Sequence, residues 1–378
     1  MNFNPRKRLS FTRCALLRLS AMIAVAFTVM GMASRLHADQ QDNFLGLPPD
    51  AREVLQGVNP RMAALGRRLF FDKHLSADGS ISCASCHRPN LAFTDGLQKS
   101  LGIGDQMGTR NAPSLWNAAL LPNQFWDGRQ LTLEQQAREP LFNVREHGLT
   151  TEAQLIRIIQ SNASYPTEFA AVFPAQQNIT TENVSRALAA YERTLLIGNS
   201  PFDRYAYAGD KDAMSQSAKR GLLLFEGRAQ CAACHLIGKK SAMFTDNQFH
   251  ALHVGLLPLD SRLGEIAQRA FSARRTGRTV SDIVLSDPEV AELGRFVVSL
   301  DPKDIGAFRT PSLRNVALTS PYMHDGSIAT LAGAIDQEIY YRTTLTRRPI
   351  ILTPDEKSDL VAFLEALTNV EVESLGAE

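Results

Sequence analysis

Residues 81–90 read Ile-Ser-Cys83-Ala-Ser-Cys86-His87-Arg-Pro-Asn, and residues 229–238 read Ala-Gln-Cys231-Ala-Ala-Cys234-His235-Leu-Ile-Gly. Both contain Cys-x-x-Cys-His, the spacing that attaches a c-type haem through two thiols and supplies an imidazole to the iron. A zinc site made from two Cys-x-x-Cys pairs wants about 15–20 residues between them, whereas the first cysteines here lie 148 apart. A thioredoxin-like redox pair gives no reason for a histidine in the same place twice. The motifs therefore predict two covalently bound haem c groups, one on Cys83, Cys86 and His87 and one on Cys231, Cys234 and His235.

The cysteine count agrees, since four of the five cysteines belong to the motifs. The fifth, Cys14, lies in a segment with Arg6, Lys7, Arg8, Arg13 and Arg18, an apolar run from Ala21 to Ala33, and then Leu36-His37-Ala38. That order is a secretory signal peptide over residues 1–38, with cleavage expected after Ala38. The 13-residue run is short against the roughly 20 of a membrane helix, and an uncleaved anchor is the alternative. Removing residues 1–38 leaves 34 basic against 39 acidic residues. A nucleic-acid partner is not expected at that charge, which is compatible with a basic redox partner.

The chain reads as duplicated. Gly66-x-x-Leu69-Phe70 precedes the first motif and Gly221-x-x-Leu224-Phe225 the second. Downstream, residues 112–133 (APSLWNAALLPNQFWDGRQLTL) align without a gap on residues 310–331 (TPSLRNVALTSPYMHDGSIATL). The offset is 198 residues here but 148 at the motifs, so about 50 extra residues are expected within Leu236–Ala307, which includes the charged Ser272-Ala-Arg-Arg-Thr-Gly-Arg278. Thr181 to Leu196 has helical apolar spacing. Thr353-Pro-Asp-Glu356 opens a last helix with an N-cap, a first-position proline and a capping glutamate. The expectation is a mostly α fold of two tandem cytochrome c-like domains related by internal duplication. They would span residues 39–198 and 199–378, one haem in each, joined near Ile197-Gly-Asn-Ser200.

The motifs, with Phe125-Trp-Asp-Gly-Arg129, Asn143-Val-Arg-Glu146, Thr310-Pro-Ser-Leu313 and Pro321-Tyr-Met-His-Asp-Gly326, resemble the bacterial dihaem cytochrome c peroxidases and their relative MauG. The resemblance implies a periplasmic enzyme that meets hydrogen peroxide at the first haem, with the second storing or passing electrons. It places Trp126 as the inter-haem tryptophan, Glu146 as the distal acid–base group, Gln136 and Pro140 in the same pocket, and His324 beside the second haem. A large oxidisable ring can divide one long electron transfer into two shorter ones, and a carboxylate within hydrogen-bond reach can move a peroxide proton. A core-packing tryptophan and a surface glutamate are the competing readings, and Trp116 reads as packing. Asn111, Thr319 and Pro321 fall where the family binds calcium, through hard oxygen ligands. Electrons would come from a small c-type cytochrome or copper protein, or from a docked protein substrate. A homodimer is a further family trait, and a plain dihaem electron carrier is the non-enzymatic alternative.

Two departures stand out. The histidine that plugs the first haem in many family peroxidases is replaced by Ile103, in Leu101-Gly-Ile-Gly-Asp105, so the first haem is expected to be open at rest. The methionine that ligates the second haem is replaced by Glu338, and no methionine follows Met323. MauG-like proteins use a tyrosine in this region, so the resemblance implies Tyr340 or Tyr341 as the distal ligand, with Met243 and Met323 as the fallback. Axial ligands help set haem potentials over about 0.8 V.

Overall fold

The structure is a computed structural model in which residues 43–176 and 178–369 are described. The signal peptide over 1–38 and Cys14 lie outside the described residues. Helix dominates, and the only sheet among the described residues pairs β1 (Phe249–Ala251) antiparallel with β2 (Ala307–Arg309), Phe249 opposite Arg309. No helix among the described residues is long and apolar enough to cross a membrane. The described residues from Leu45 onward cluster as one compact unit.

Three large cores among the described residues hold this unit together. The first spans residues 65–197 and is built around α1 (Pro60–Phe71) and α3 (Thr181–Glu192). α1 starts where Asn59 accepts the Arg61 and Met62 N–H groups and Pro60 sets the first helical φ. Leu65, Leu69 and Phe70 on its inner face are buried, each worth about 1.5–3 kcal/mol against exposure. The helices touch at Gly66, where a Cβ would stand 1.8 Å from the Ala187 carbonyl oxygen. The second core, over residues 202–367, pairs α4 (Gln216–Glu226) with α8 (Pro354–Glu365). Here a Cβ on Gly221 would lie 1.9 Å from the Asp359 carbonyl oxygen. The capping box read at Thr353 is present: its hydroxyl accepts from Glu356 N–H and the Glu356 carboxylate from Thr353 N–H. The helix expected over 181–196 ends at Glu192, and the residues beyond turn so that Ile197 N–H reaches the Asn117 side chain at 2.9 Å.

The third core spans residues 256–297. α5 (Leu263–Arg275), α6 (Val280–Ser286) and two short turns of helix bury Leu256, Ile266, Ile283, Val290, Leu293 and Phe296 together. The stretch read as merely charged is a folded lobe, its arginines on the outside and its aliphatics inward. α2 (Leu133–Phe142) and α7 (Leu331–Thr346) follow the two Asp-Gly turns, each capped by a threonine, Thr132 and Thr330.

Candidate haem sites

Each Cys-x-x-Cys-His is a tight turn that ends on its histidine. His87 N–H donates to Cys83 O at 2.9 Å and His235 N–H to Cys231 O at 3.0 Å. The rings are set the same way. His87 Nδ1 lies 2.9 Å from Phe93 O, and His235 Nδ1 lies 2.8 Å from Phe244 O. A carbonyl only accepts, so Nδ1 carries the hydrogen and Nε2 is left to bind metal. Phe93 and Phe244 present those carbonyls from left-handed backbone, φ 58° and 51°, a conformation that bulky residues adopt only when held. Burial lowers both imidazoles and raises all four thiols.

Glu146 stands beside the first motif. Its charge is felt at Cys86 and Cys83, and Asn143 Nδ2 donates to its carboxylate at 2.5 Å. Asn143 caps α2 after Pro140, and the turn that follows delivers Glu146 N–H to Asn143 O. Gln136 lies on α2, half-buried, one turn before Pro140. Burial pushes the Glu146 carboxyl above its ordinary value, against the opposing charge of Arg129 and the Asn143 hydrogen bond. Ile103, at the plug position, is fastened to the same turn, its N–H donating to Glu146 O at 3.0 Å. His147 is buried there with neither ring nitrogen paired, and burial lowers it to about 4.

A cavity of about 510 Å³ opens at the second motif. Cys231, Cys234 and His235 line it with Trp126, His324, Met323 and Arg309. Trp126 is anchored at both ends: its indole N–H donates to Asn111 O at 3.0 Å, and Arg309 N–H donates to Trp126 O at 2.8 Å. Trp116 instead packs edge-on against Phe93 in the first core, as read. His324 stacks on Phe308, ring centroids 3.6 Å apart, and its Nε2–H donates to Glu292 at 2.7 Å. Burial would raise the Glu292 carboxyl, but His324, Arg110 and Lys99 bring it below its usual value.

The third lobe grips the tryptophan loop. Arg295 donates to Asp127 O and Gly128 O at 3.0 Å each, and Ser281 donates to Glu139 at 2.5 Å. Glu139 and Asp127 both pair with Arg129, which covers the Phe125 ring at 3.4 Å.

A family model described as di-haem cytochrome c peroxidase matches residues 60–212. The chain is 36% identical over 315 residues to the methylamine utilization protein MauG of Methylorubrum extorquens, covering 82% of this chain and 79% of that protein. The chain belongs to the di-haem cytochrome c peroxidase family. The cytochrome-c peroxidase IdrP1 of Pseudomonas sp. (strain SCT) is 35% identical over 373 residues, 93% of this chain and 92% of that one. A crystal structure of a MauG-like protein associated with microbial copper homeostasis superposes with a TM-score of 0.67 at 32% identity, over 84% of this chain and 91% of that chain. As a family member the protein is a peroxide-using oxidoreductase with two haem c groups.

The residues fit those groups. Arg309 is buried with Nε and Nη1 unpaired, and burial alone lowers it to about 10. A buried cation without an anion suits a haem propionate. Asn111, Thr319 and Pro321 all line the cavity, and the Asn111 amide N–H₂ donates to Leu97 O.

The two tyrosines read as distal ligands are placed elsewhere. Tyr341 is buried with its hydroxyl donating to His253 O at 3.0 Å, and Tyr340 is 59% exposed. Neither lines the cavity, whereas Glu338 does. Of the methionines, Met323 lines it and Met243 does not. Sequence reasoning missed Glu292 and Arg309. Glu292 carries no local signal, but Arg309 directly precedes Thr310-Pro-Ser-Leu313, where it could have been noticed.

Proposed function

We propose that this protein is a periplasmic dihaem peroxidase of the MauG-like branch that reduces hydrogen peroxide on the first-motif side, electrons reaching it through Trp126 from the second. When bound, haem iron supplies the redox chemistry. The chain supplies the rest. His87 and His235 would hold the iron through Nε2, and Arg309 would hold a propionate. Glu146 takes the proton from the near peroxide oxygen and returns it to the far one, so that water leaves. Burial, by raising that carboxyl above its ordinary value, makes it more ready to hold the proton between the two halves of the transfer. Gln136 and Pro140 border the pocket. Calcium is held by Asn111, Thr319 and Pro321, oxygen donors that stiffen the segment carrying the tryptophan's acceptor.

The observation that carries this reading is the Ile103–Glu146 backbone bond, which fixes a non-ligating aliphatic beside the acid–base carboxylate. Duplication is supported by the matched glycine crossings at Gly66 and Gly221 and by the left-handed Asn117 and Asn315, φ 62° and 59°. It would make residues 39–198 and 199–378 two copies of one haem-binding design. The donor is a small c-type cytochrome or copper protein. A second reading, an oxidase that draws electrons from a docked protein, is favoured by the lack of any methionine after Met323. Without a thioether the second haem leans toward ferric and higher states.

The test is peroxide added to the fully ferric holoprotein with a reduced small cytochrome as donor. Turnover without a lag is expected, and Glu146→Gln should cut it about 10²–10⁴-fold with both haems still attached. Two low-spin haems, and no reaction until one is reduced, would overturn the proposal.

A further inference from the structure

α7 presents one face to the cavity at the second motif. Leu331, Ala334, Ile335, Glu338, Ile339 and Arg342 all line it, spaced as a single helical stripe. Glu338 is the acidic residue of that stripe, Arg342 lies one turn on, and the rest are aliphatic. The charges of Glu338 and Arg342 are both felt at Cys231 and Cys234, so the carboxylate stands close to where the haem is attached. Tyr340, two residues on, points away by helical geometry, and the Tyr341 hydroxyl is engaged by His253 O.

We infer that Glu338 is the distal ligand of the second haem, binding ferric iron through a carboxylate oxygen, with Arg342 supplying countercharge. The inference rests on the reading of Cys231–His235 as a haem site. The step is coordination alone: the carboxyl releases its proton to solvent, an oxygen lone pair enters the sixth position, and no electron moves. Burial raises the free carboxyl, while Arg342 and His250 oppose that rise; a ferric ion adds a further positive charge in the same sense. A carboxylate is a hard anionic donor that favours the ferric state more than a thioether does. The second haem would then have a lower potential than a methionine-ligated one and would exchange its sixth ligand more readily.

The experiment uses the full holoprotein, with haem content checked by mass spectrometry so that loss of the dihaem reading shows as fewer than two attached haems. In the wild type, near-infrared magnetic circular dichroism of the ferric protein should show an oxygen-donor haem for the second site and no thioether signature. Glu338→Gln should change the second haem's EPR signal alone and tighten azide binding there about tenfold or more, because a competing internal ligand is removed. Glu338→Met should bring in the weak far-red band of a thioether-ligated haem and shift the second potential positive. An unaltered second-haem spectrum in Glu338→Gln would overturn the inference. So would loss of the wild-type signal in Tyr341→Phe or Met323→Leu. Should a Glu338 variant fail to keep its haem, the wild-type spectrum decides: a thioether or tyrosinate signature is incompatible with carboxylate ligation.

Discussion

The Ile103 N–H donates to the Glu146 carbonyl oxygen at 3.0 Å, while the Ile103 side chain rests against Gly148, where a Cβ would come within 2.1 Å of its Cδ1. At Gly102 a Cβ would stand 1.7 Å from Arg145 O. The loop at the plug position is therefore seated on the Glu146 turn by close backbone contact. Ile103→His should place an imidazole at the plug position, beside the Glu146 turn. Stopped-flow mixing of the ferric variant with peroxide should then show a lag that prior reduction abolishes, while the wild type shows none. A lag in both proteins would mean that the site is closed by another group.

Trp126→Phe should leave both haems attached and the fold intact, because Arg309 N–H and Arg295 hold the loop through main-chain oxygens. What is lost is the indole N–H to Asn111 and the oxidisable ring. Rapid mixing with peroxide should show slower oxidation of the second haem while the first reacts normally. Unchanged kinetics would return Trp126 to a packing role.

Glu192 is 5% exposed, its Oε2 has no hydrogen-bond partner, and burial raises its carboxyl to about 8, opposed by Arg193. The unfolded value is about 4.3, so the folded protein binds the extra proton. The stability from this group is full below pH ~4 and falls as pH rises toward about 8. Glu192→Gln should flatten that slope and raise the thermal midpoint most at alkaline pH. Parallel melting curves for the two proteins across pH 5–9 would refute the assignment.

Gly66→Ala and Gly221→Ala should each destabilise by about 1–3 kcal/mol or more, because both force a methyl into an opposing carbonyl at a helix crossing. Gly264→Ala, in a helix with no atom near the new methyl, should be neutral or stabilising by about 0.5–1 kcal/mol. Calorimetry of the three variants separates close contact from helix propensity. Equal effects at all three would remove the crossing argument.

Local chemistry was legible in the sequence, and assembly was not. The motif turns and the Thr353 capping box follow from neighbours in sequence, whose signals are short-range. The helix face was not legible in advance. Tyr340, Tyr341 and Glu338 lie within four positions, and which one turns inward depends on where α7 rests against the second core. The same holds for Glu292 and Ser281. Ser281 matters because the lobe folds back onto Glu139, 142 residues away in sequence, and Glu292 because it meets His324, contacts that no periodicity encodes.

That fold-back sets how this chain can be divided or inherited. Arg295 reaches across to the carbonyls of Asp127 and Gly128, and Arg309 to that of Trp126. Cutting at 198 would strip the tryptophan loop of its floor even though each piece kept its own haem motif. A chimera that takes one half from a relative must therefore carry the matching lobe with it. The unit of exchange is the loop together with its clamp, and it straddles the boundary that the duplicated motifs suggest.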